Sequence, residues 1–182
     1  MLTQFIFFRK DIKRMLGKNK FRIIILWINR GFVGIFLYRL ERSLYLLLGS
    51  KYQYFRLLVI PFFNLLQAYS NIDIHYKASI AGGLNILHPS MGIVISGRAA
   101  IGDNCTLIGG NVIGVDNRRD SKFILGANLH MGANSTIIGP LILGDNCTVG
   151  SLACVTKNFL ESDLIIAGVP AKVLNAKEDK GK

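Results

Sequence analysis

Residues 125–155 read LGANLHMGANSTIIGPLILGDNCTVGSLACV, and an aliphatic side chain falls at every sixth position: Leu125, Met131, Ile137, Leu143, Val149 and Val155. Glycine often follows the aliphatic, and the position four after it is often small, as at Ser135, Cys147 and Ala153. Working outward, the same step runs through Ile95, Ile101, Leu107 and Ile113, and before that through Ile74, Ile80 and Ile86. A period of six fits neither a helix nor an alternating strand. It is the spacing of a β-solenoid, in which three hexapeptides make one triangular coil and each aliphatic points inward. Successive coils then stack at the strand spacing of about 4.8 Å. Glycine and asparagine at the corners allow backbone conformations that other residues resist.

The 70 residues before this pattern are built differently. They hold 12 Lys/Arg against two acids, Asp11 and Glu41, whereas residues 71–182 hold 10 Lys/Arg and nine acids. Fifteen of the 18 aromatics precede residue 71, and 15 of the 19 glycines follow it. With just over half of its residues hydrophobic, the chain is not a disordered protein. The composition therefore divides the chain into a basic, aromatic-rich helical segment (1–71), a solenoid domain (72–175) and a flexible tail (176–182).

FRIIILWINRGFVGIFLYRL (21–40) and RLLVIPFFNLLQAY (56–69) are strongly apolar. Neither offers about 18 uninterrupted apolar residues, because Arg22, Arg30 and Arg39 break the first and Pro61 and Asn64 break the second. Short helices with a basic face and an aromatic-aliphatic face fit this pattern. Residues 1–70 either lie on an anionic membrane surface or pack on the second half or another subunit, and a hairpin turning at Pro61 is a third option. No nucleic-acid-binding module is visible, and Lys/Arg set so closely among Leu, Ile and Phe suit lipid better than nucleic acid. The N-terminus does not read as a cleavable signal peptide, since FIFF is followed at once by RKDIKR. Cys105, Cys147 and Cys154 make an odd set without metal spacing, which points to a reducing, cytoplasmic setting.

The six-residue step breaks twice. Between Ile86 and Ile95 it lengthens to nine, through an insertion holding His88-Pro89-Ser90-Met91-Gly92. Between Ile113 and Leu125 the count survives but VDNRRDSKF (115–123) is polar, with Arg119 in an aliphatic slot, and reads as a loop thrown out from the coil. Irregular loops on a rigid scaffold are where sites tend to be built. On the residues alone, His88 is equally a base or a structural histidine.

The run DIHYKASIAGGLNILHPSMGIVI (73–95) resembles the DIHPxAxIGxG…HxxGIVI stretch of serine O-acetyltransferases and the related polysaccharide O-acetyltransferases. The ending IIAGVPAKVL (165–174) resembles their closing AGVPA segment, and YRLER (38–42) resembles the helical front of the shorter members. The resemblance covers residues 72–175. It implies a left-handed parallel β-helix preceded by α-helices, and an acetyl-CoA-dependent O-acetyltransferase packed as a homotrimer. It matches His88 to the general base and Asp73 to the carboxylate that orients it. Gly114, Ala133 and Ser151 match the groove for acetyl-CoA, with Lys172 placed to meet a phosphate. No metal is expected. A γ-type carbonic anhydrase also uses three histidines, but His75, His88 and His130 lack the HxxxxH pair of that family.

Two departures bear on the acceptor. The family's serine enzymes carry Asp directly before the catalytic histidine, where this chain has Leu87, and an Arg-His pair where it has Ser121 and Lys122. Losing the carboxylate leaves a substrate ammonium without its counter-charge, although Arg118 and Arg119 remain to meet a substrate carboxylate. The long helical domain of the standard serine enzymes is also missing. Leu87, Arg118, Arg119 and Lys122 are thus the candidate acceptor-binding residues. These features favour a sugar hydroxyl as acceptor, in a surface polysaccharide or its lipid-linked precursor, with the protein cytoplasmic and peripheral on the inner face of the membrane. Serine is the alternative acceptor. A non-catalytic solenoid scaffold and a membrane-anchored assembly factor are readings from other classes.

Overall fold

The computed structural model describes residues 2–17, 20–116 and 123–176. From Ile72 onward the chain winds into a parallel β-solenoid of about four turns with three sheets as its faces. The first sheet stacks Ile72–Ile74, Ile93–Ile95, Asn111–Val115, Thr136–Gly139 and Cys154–Val155. The second stacks Ser79–Ile80, Ala99–Ile101, Phe123–Leu125 and Ile142–Leu143. The third stacks Asn85–Ile86, Thr106–Leu107, His130–Met131, Thr148–Val149 and Leu164–Ala167, and ends with the antiparallel strand Lys172–Ala176. That last strand runs one residue into the stretch read as a tail; residues 177–182 lie outside the described residues.

Every aliphatic of the six-residue series is buried, from Ile74 to Val155, and so are the small residues Ala78, Cys105, Ser135, Cys147 and Ala153. The register explains why one period suffices: Ile74 pairs with Ile95, Ile95 with Ile113, Ile113 with Ile137 and Ile137 with Val155. Each face thus stacks like on like, and these rows fill the interior together with Ile72, Leu84, Ile93, Phe123, Leu129 and Leu141. One corner is made by Asn104, Asn128 and Asn146, all left-handed at φ 62°, 55° and 57°. Their side chains form a ladder, with Asn104 donating to Asn128 at 3.2 Å and Asn128 to Asn146 at 2.8 Å. Asparagine tolerates this backbone and its amide finds a partner one coil away.

Ahead of the solenoid come α1 (Leu2–Leu16), a 3₁₀ segment (Lys20–Ile28), α2 (Arg30–Leu48) and α3 (Tyr52–Ser70). Asn29 separates the second from the third, its side chain accepting from the N–H of Phe32 at 3.0 Å as an N-cap. No hairpin forms at Pro61: α3 runs straight through it. Proline removes one i→i−4 bond, but the helix is held on both sides of the missing bond.

The helices close the open end of the solenoid. A first coil has no coil beneath it, so its backbone groups would be left without partners. Helix side chains supply them. The Tyr38 hydroxyl donates to the Ala78 carbonyl at 3.0 Å and accepts from the N–H of Ile80 at 3.1 Å. Arg39 donates to the carbonyls of Ile80 and Ala81, both at 2.7 Å, and Asp11 accepts from the N–H groups of Gly83 and Leu84 at 2.7 and 2.8 Å. Arg39 and Asp11 pair with each other at 2.8 Å, fully out of water. Arg14 reaches the carbonyls of Gly83 and Cys105, and Arg42 those of Tyr76 and Lys77. Glu41 is buried between the Tyr52 hydroxyl and Arg56. Much of the basic charge at the front of the chain is therefore committed to packing on the solenoid. Among the described residues, no helix is long and apolar enough to cross a membrane.

Removing one member of a buried ion pair strands its partner in a dry site, which costs about 3–5 kcal/mol. Arg39→Met and Asp11→Leu should each destabilise by that order in urea unfolding, and the double variant should lose clearly less than the sum of the two.

Candidate active site

His88 stands where the insertion leaves the coil. Strand Asn85–Ile86 delivers it, and the N–H groups of Leu87 and His88 still donate to Leu107 and Ile108 of the next coil, at 3.0 and 2.7 Å. The backbone is thus fixed while the imidazole is exposed. Pro89–Met91 then makes a single 3₁₀ turn, closed by the Met91 N–H on the His88 carbonyl at 3.2 Å, and Gly92 exits at φ 83°. Asn71, the left-handed cap of α3, donates to the Ser90 carbonyl at 3.0 Å and ties the turn to the helices.

One coil on, Gly109 presses against this turn. A Cβ there would lie 2.5 Å from the His88 carbonyl oxygen and 3.0 Å from Met91 Sδ, and its φ of 149° is one that side chains rarely adopt. The Gly109 N–H donates to Asn111 Oδ1 at 2.9 Å, and Asn111 Nδ2 donates to the Gly132 carbonyl at 2.7 Å and to Ser135 Oγ at 3.0 Å. Asn111 and Ser135 are both buried. This satisfied polar network sits inside the corner that carries His88, and sequence reasoning missed it. The doubled glycine at 109–110 was its only visible trace.

The same corner continues upward as a column. The Gly110 N–H donates to the Gly92 carbonyl, that of Asn134 to Gly109, that of Leu152 to Ala133 and that of Cys154 to Gly168, at 2.8 to 3.0 Å. Ala133 and Ser151 therefore stack directly in line above His88. Lys172 is exposed and pairs with Ala167, whose side chain would touch a Cβ at Gly150, so it joins the column at its top. Gly114 does not: it sits toward the far end of the first sheet, in register with Ile138.

Asp73 points outward from the first sheet in register with Val94, at a cleft of ≈ 360 Å³ that α3 walls with Asn64 and Gln67. Among the described residues, no hydrogen bond or ion pair joins Asp73 to His88. Its neighbour is instead His75, two residues along the same strand face. His75 Nδ1 accepts from the N–H of Lys77 at 3.1 Å, its ring stacks on Tyr76 with centroids 4.5 Å apart, and Gly97 leaves room for it. Burial lowers the His75 pKa below the ordinary 6.5, and the charges of Lys77 and Arg56 lower it further against a smaller opposing effect of Asp73. His75 is a turn-capping residue. His130 lies on the outward face of the third sheet, beside the inward Met131. Among the described residues, no group of three His, Cys, Asp or Glu side chains is placed to hold a metal.

Leu87 borders a cavity of ≈ 530 Å³ between the solenoid and the helices, with Met15, Ile25, Leu26 and Ile28 on its apolar walls and Asn29 and Asn85 as its polar side chains. Arg118, Arg119, Ser121 and Lys122 lie outside the described residues.

The chain is 28% identical over 160 residues to a serine acetyltransferase of Helicobacter pylori, covering 87% of this chain and 88% of that protein. The chain is thus similar to a serine acetyltransferase along nearly the whole of both sequences. Another, from Synechococcus elongatus, is 30% identical over 123 residues, which is 65% of this chain but only half the length of that relative. The crystal structure of Neisseria gonorrhoeae serine acetyltransferase superimposes with a TM-score of 0.78 at 23% identity, covering 100% of this chain and 71% of that one. Solved serine acetyltransferases include complexes with serine, with cysteine and with coenzyme A. No protein-family model matches the chain.

These relations overturn the sugar acceptor expected from the sequence. That reading leaned on the missing helical domain, yet the Helicobacter serine acetyltransferase is matched over nearly its whole length. A short front is therefore no mark of a polysaccharide enzyme. The other arguments were Leu87 in place of a carboxylate, Ser121 and Lys122 in place of an Arg-His pair, and the basic front, and they concern single contacts or the helical surface and not the class of substrate.

The pH behaviour of His75 follows from its surroundings. Because the fold disfavours the protonated ring, its contribution to stability is in place above about pH 6.5 and is lost as pH falls through the lower folded-state value. In an NMR titration the ring signal that vanishes in His75→Gln should titrate below 6.5.

Proposed function

We propose that the chain transfers the acetyl group of acetyl-CoA to the hydroxyl of L-serine, with His88 as general base. The observation that carries this reading is the relation to a serine acetyltransferase along nearly the whole chain. The exposed imidazole on a fixed turn at the foot of the corner column supports it.

In this reading the neutral imidazole takes the proton of the serine hydroxyl as its oxygen bonds to the thioester carbonyl carbon. The tetrahedral intermediate collapses, the carbon–sulfur bond breaks, and the departing thiolate takes the proton from the imidazolium. The products are O-acetylserine and free coenzyme A. An imidazole can both accept and return a proton through its ring nitrogens, which is what the two transfers require.

Acetyl-CoA would lie along the column, its pantetheine arm against the backbone at Ala133 and Ser151 and a phosphate at Lys172. From His88 to Ser151 is three coil steps of about 4.8 Å, roughly 14 Å, a span that an extended pantetheine covers. A homotrimer belongs to this reading: a neighbouring copy closes the groove, and Gly114 belongs to the wall that such a copy supplies. Asp73 orients the imidazole once substrate has closed the site, since catalytic hydrogen bonds are often long in free enzymes. Arg118, Arg119 and Lys122 bring positive charge to the serine carboxylate. Leu87 leaves the ammonium without the carboxylate that the family provides, so binding of serine is weak.

Release of thiol from acetyl-CoA should therefore depend on L-serine, and His88→Ala should lower kcat/KM by roughly 10²- to 10⁴-fold. Leu87→Asp restores a charge-assisted hydrogen bond and should lower the KM for serine roughly tenfold or more. Serine-dependent release that survives His88→Ala unchanged would contradict the assignment of the base.

A further inference from the structure

The helices that close the solenoid turn a second face outward, and that face is apolar. On α3, Tyr54, Leu58, Phe62, Leu65 and Tyr69 follow one another at steps of three and four residues, and all are exposed, Leu58 at 81%. The one charged residue of α3, Arg56, turns inward to Glu41. Over 19 residues, about 28 Å, the outer stripe of this helix carries no charge at all. The 3₁₀ segment continues the surface with Phe21, Ile24, Trp27 and Ile28, exposed at 85, 78, 66 and 72%. The two pieces are joined, since the Tyr69 hydroxyl donates to the Ile28 carbonyl at 2.7 Å and the Arg30 guanidinium lies 5.7 Å from the Tyr69 ring centre. A continuous apolar surface of this size marks a place where something docks.

The charges around it say what. The only acids among residues 1–70 are Asp11 and Glu41, and both are buried in ion pairs with Arg39 and Arg56. Every exposed charge that the helical front offers is therefore positive. Arg9 and Lys13 rim a groove of ≈ 400 Å³ between α1 and the 3₁₀ segment, with Ile12, Leu16 and Ile23 inside it. Arg30 stands where the 3₁₀ segment meets α3, and Lys51 precedes α3. A second copy meeting this face through a two-fold axis would bring cations against cations with no acid to answer them. An anionic lipid surface answers both properties at once, taking the aromatic and aliphatic side chains among its acyl chains and the lysines and arginines at its headgroups.

We propose that the outer face of the 3₁₀ segment and α3 docks on an anionic bilayer, lying in its interface without spanning it. The proposal is independent of the acetyl-transfer reading, because this face belongs to neither His88 nor the corner column.

Trp27 is the only tryptophan of the chain and sits in the face, so it reports docking directly. The full-length protein is mixed with vesicles of phosphatidylcholine alone, or with about a third phosphatidylglycerol. Sedimentation should show at least about tenfold stronger partitioning to the anionic vesicles, and high salt should reverse the gain. Trp27 emission should move to the blue on binding. Leu58→Ser with Phe62→Ser, both on the exposed stripe, should abolish partitioning while the melting temperature and the far-ultraviolet spectrum stay unchanged. Equal binding to both vesicles, or none to either, overturns the proposal. So does a lipid-free assembly that buries Trp27 and is dispersed by Leu58→Ser, which would give the face to a second copy.

Discussion

The six-residue step is the constraint on which the rest of the molecule depends. Every sixth side chain must point into a narrow prism filled mostly by aliphatics, so a polar group placed there has to find its partners inside, as Asn111 and Ser135 do. Chemistry is confined to what the repeat leaves over: corners, breaks and the two ends. The chain uses all three. His88 occupies a break, Ala133 and Ser151 a corner, Lys172 the last strand, and Asp11, Tyr38 and Arg39 seal the first coil. The stacking that fixes the fold also holds residues 88, 109, 133 and 151 in one line, through hydrogen bonds between coils.

What the sequence made legible follows from this. A side chain whose direction is set by its place in a repeat can be read locally, and the aliphatics of the six-residue series are all buried as read. His88 could be found because it interrupts the count. Asn111 could not, since its role lies in reaching Gly132 and Ser135 on the next coil and in holding Gly109 against the His88 turn. Nor could the Asp11–Arg39 pair, whose partners stand 28 residues apart on different helices and meet only over the edge of the first coil. Pro61 was weighed as a turn because proline breaks short helices; in α3 one missing bond is outweighed by the turns on either side. Asp73, matched by resemblance to the carboxylate that orients His88, lies on the outward face of its strand in register with Val94 and beside His75.

The acceptor was misread for a related reason. Basic charge and apolar surface at the front of the chain suggested a membrane, and a membrane suggested a lipid-linked sugar. The structure separates the first inference from the second. The inner face of the helices is a lid, using Tyr38, Arg39 and Arg42 to satisfy backbone groups of the solenoid. By burying both acids in that lid, the helices leave an outer face with only cations around its apolar residues. The outer face of the helices and the corner that carries His88 are thus different surfaces. Leu87 borders the apolar cavity between the helices and the solenoid, and Asn71 ties the helices to the turn that follows His88.

The most direct test of the corner column as the site of reaction is a crystal structure of the full chain with coenzyme A. The account predicts the pantetheine along Ala133 and Ser151, a phosphate at Lys172 and the sulfur directed at His88. Coenzyme A bound along another corner, with its sulfur turned away from His88, would contradict it.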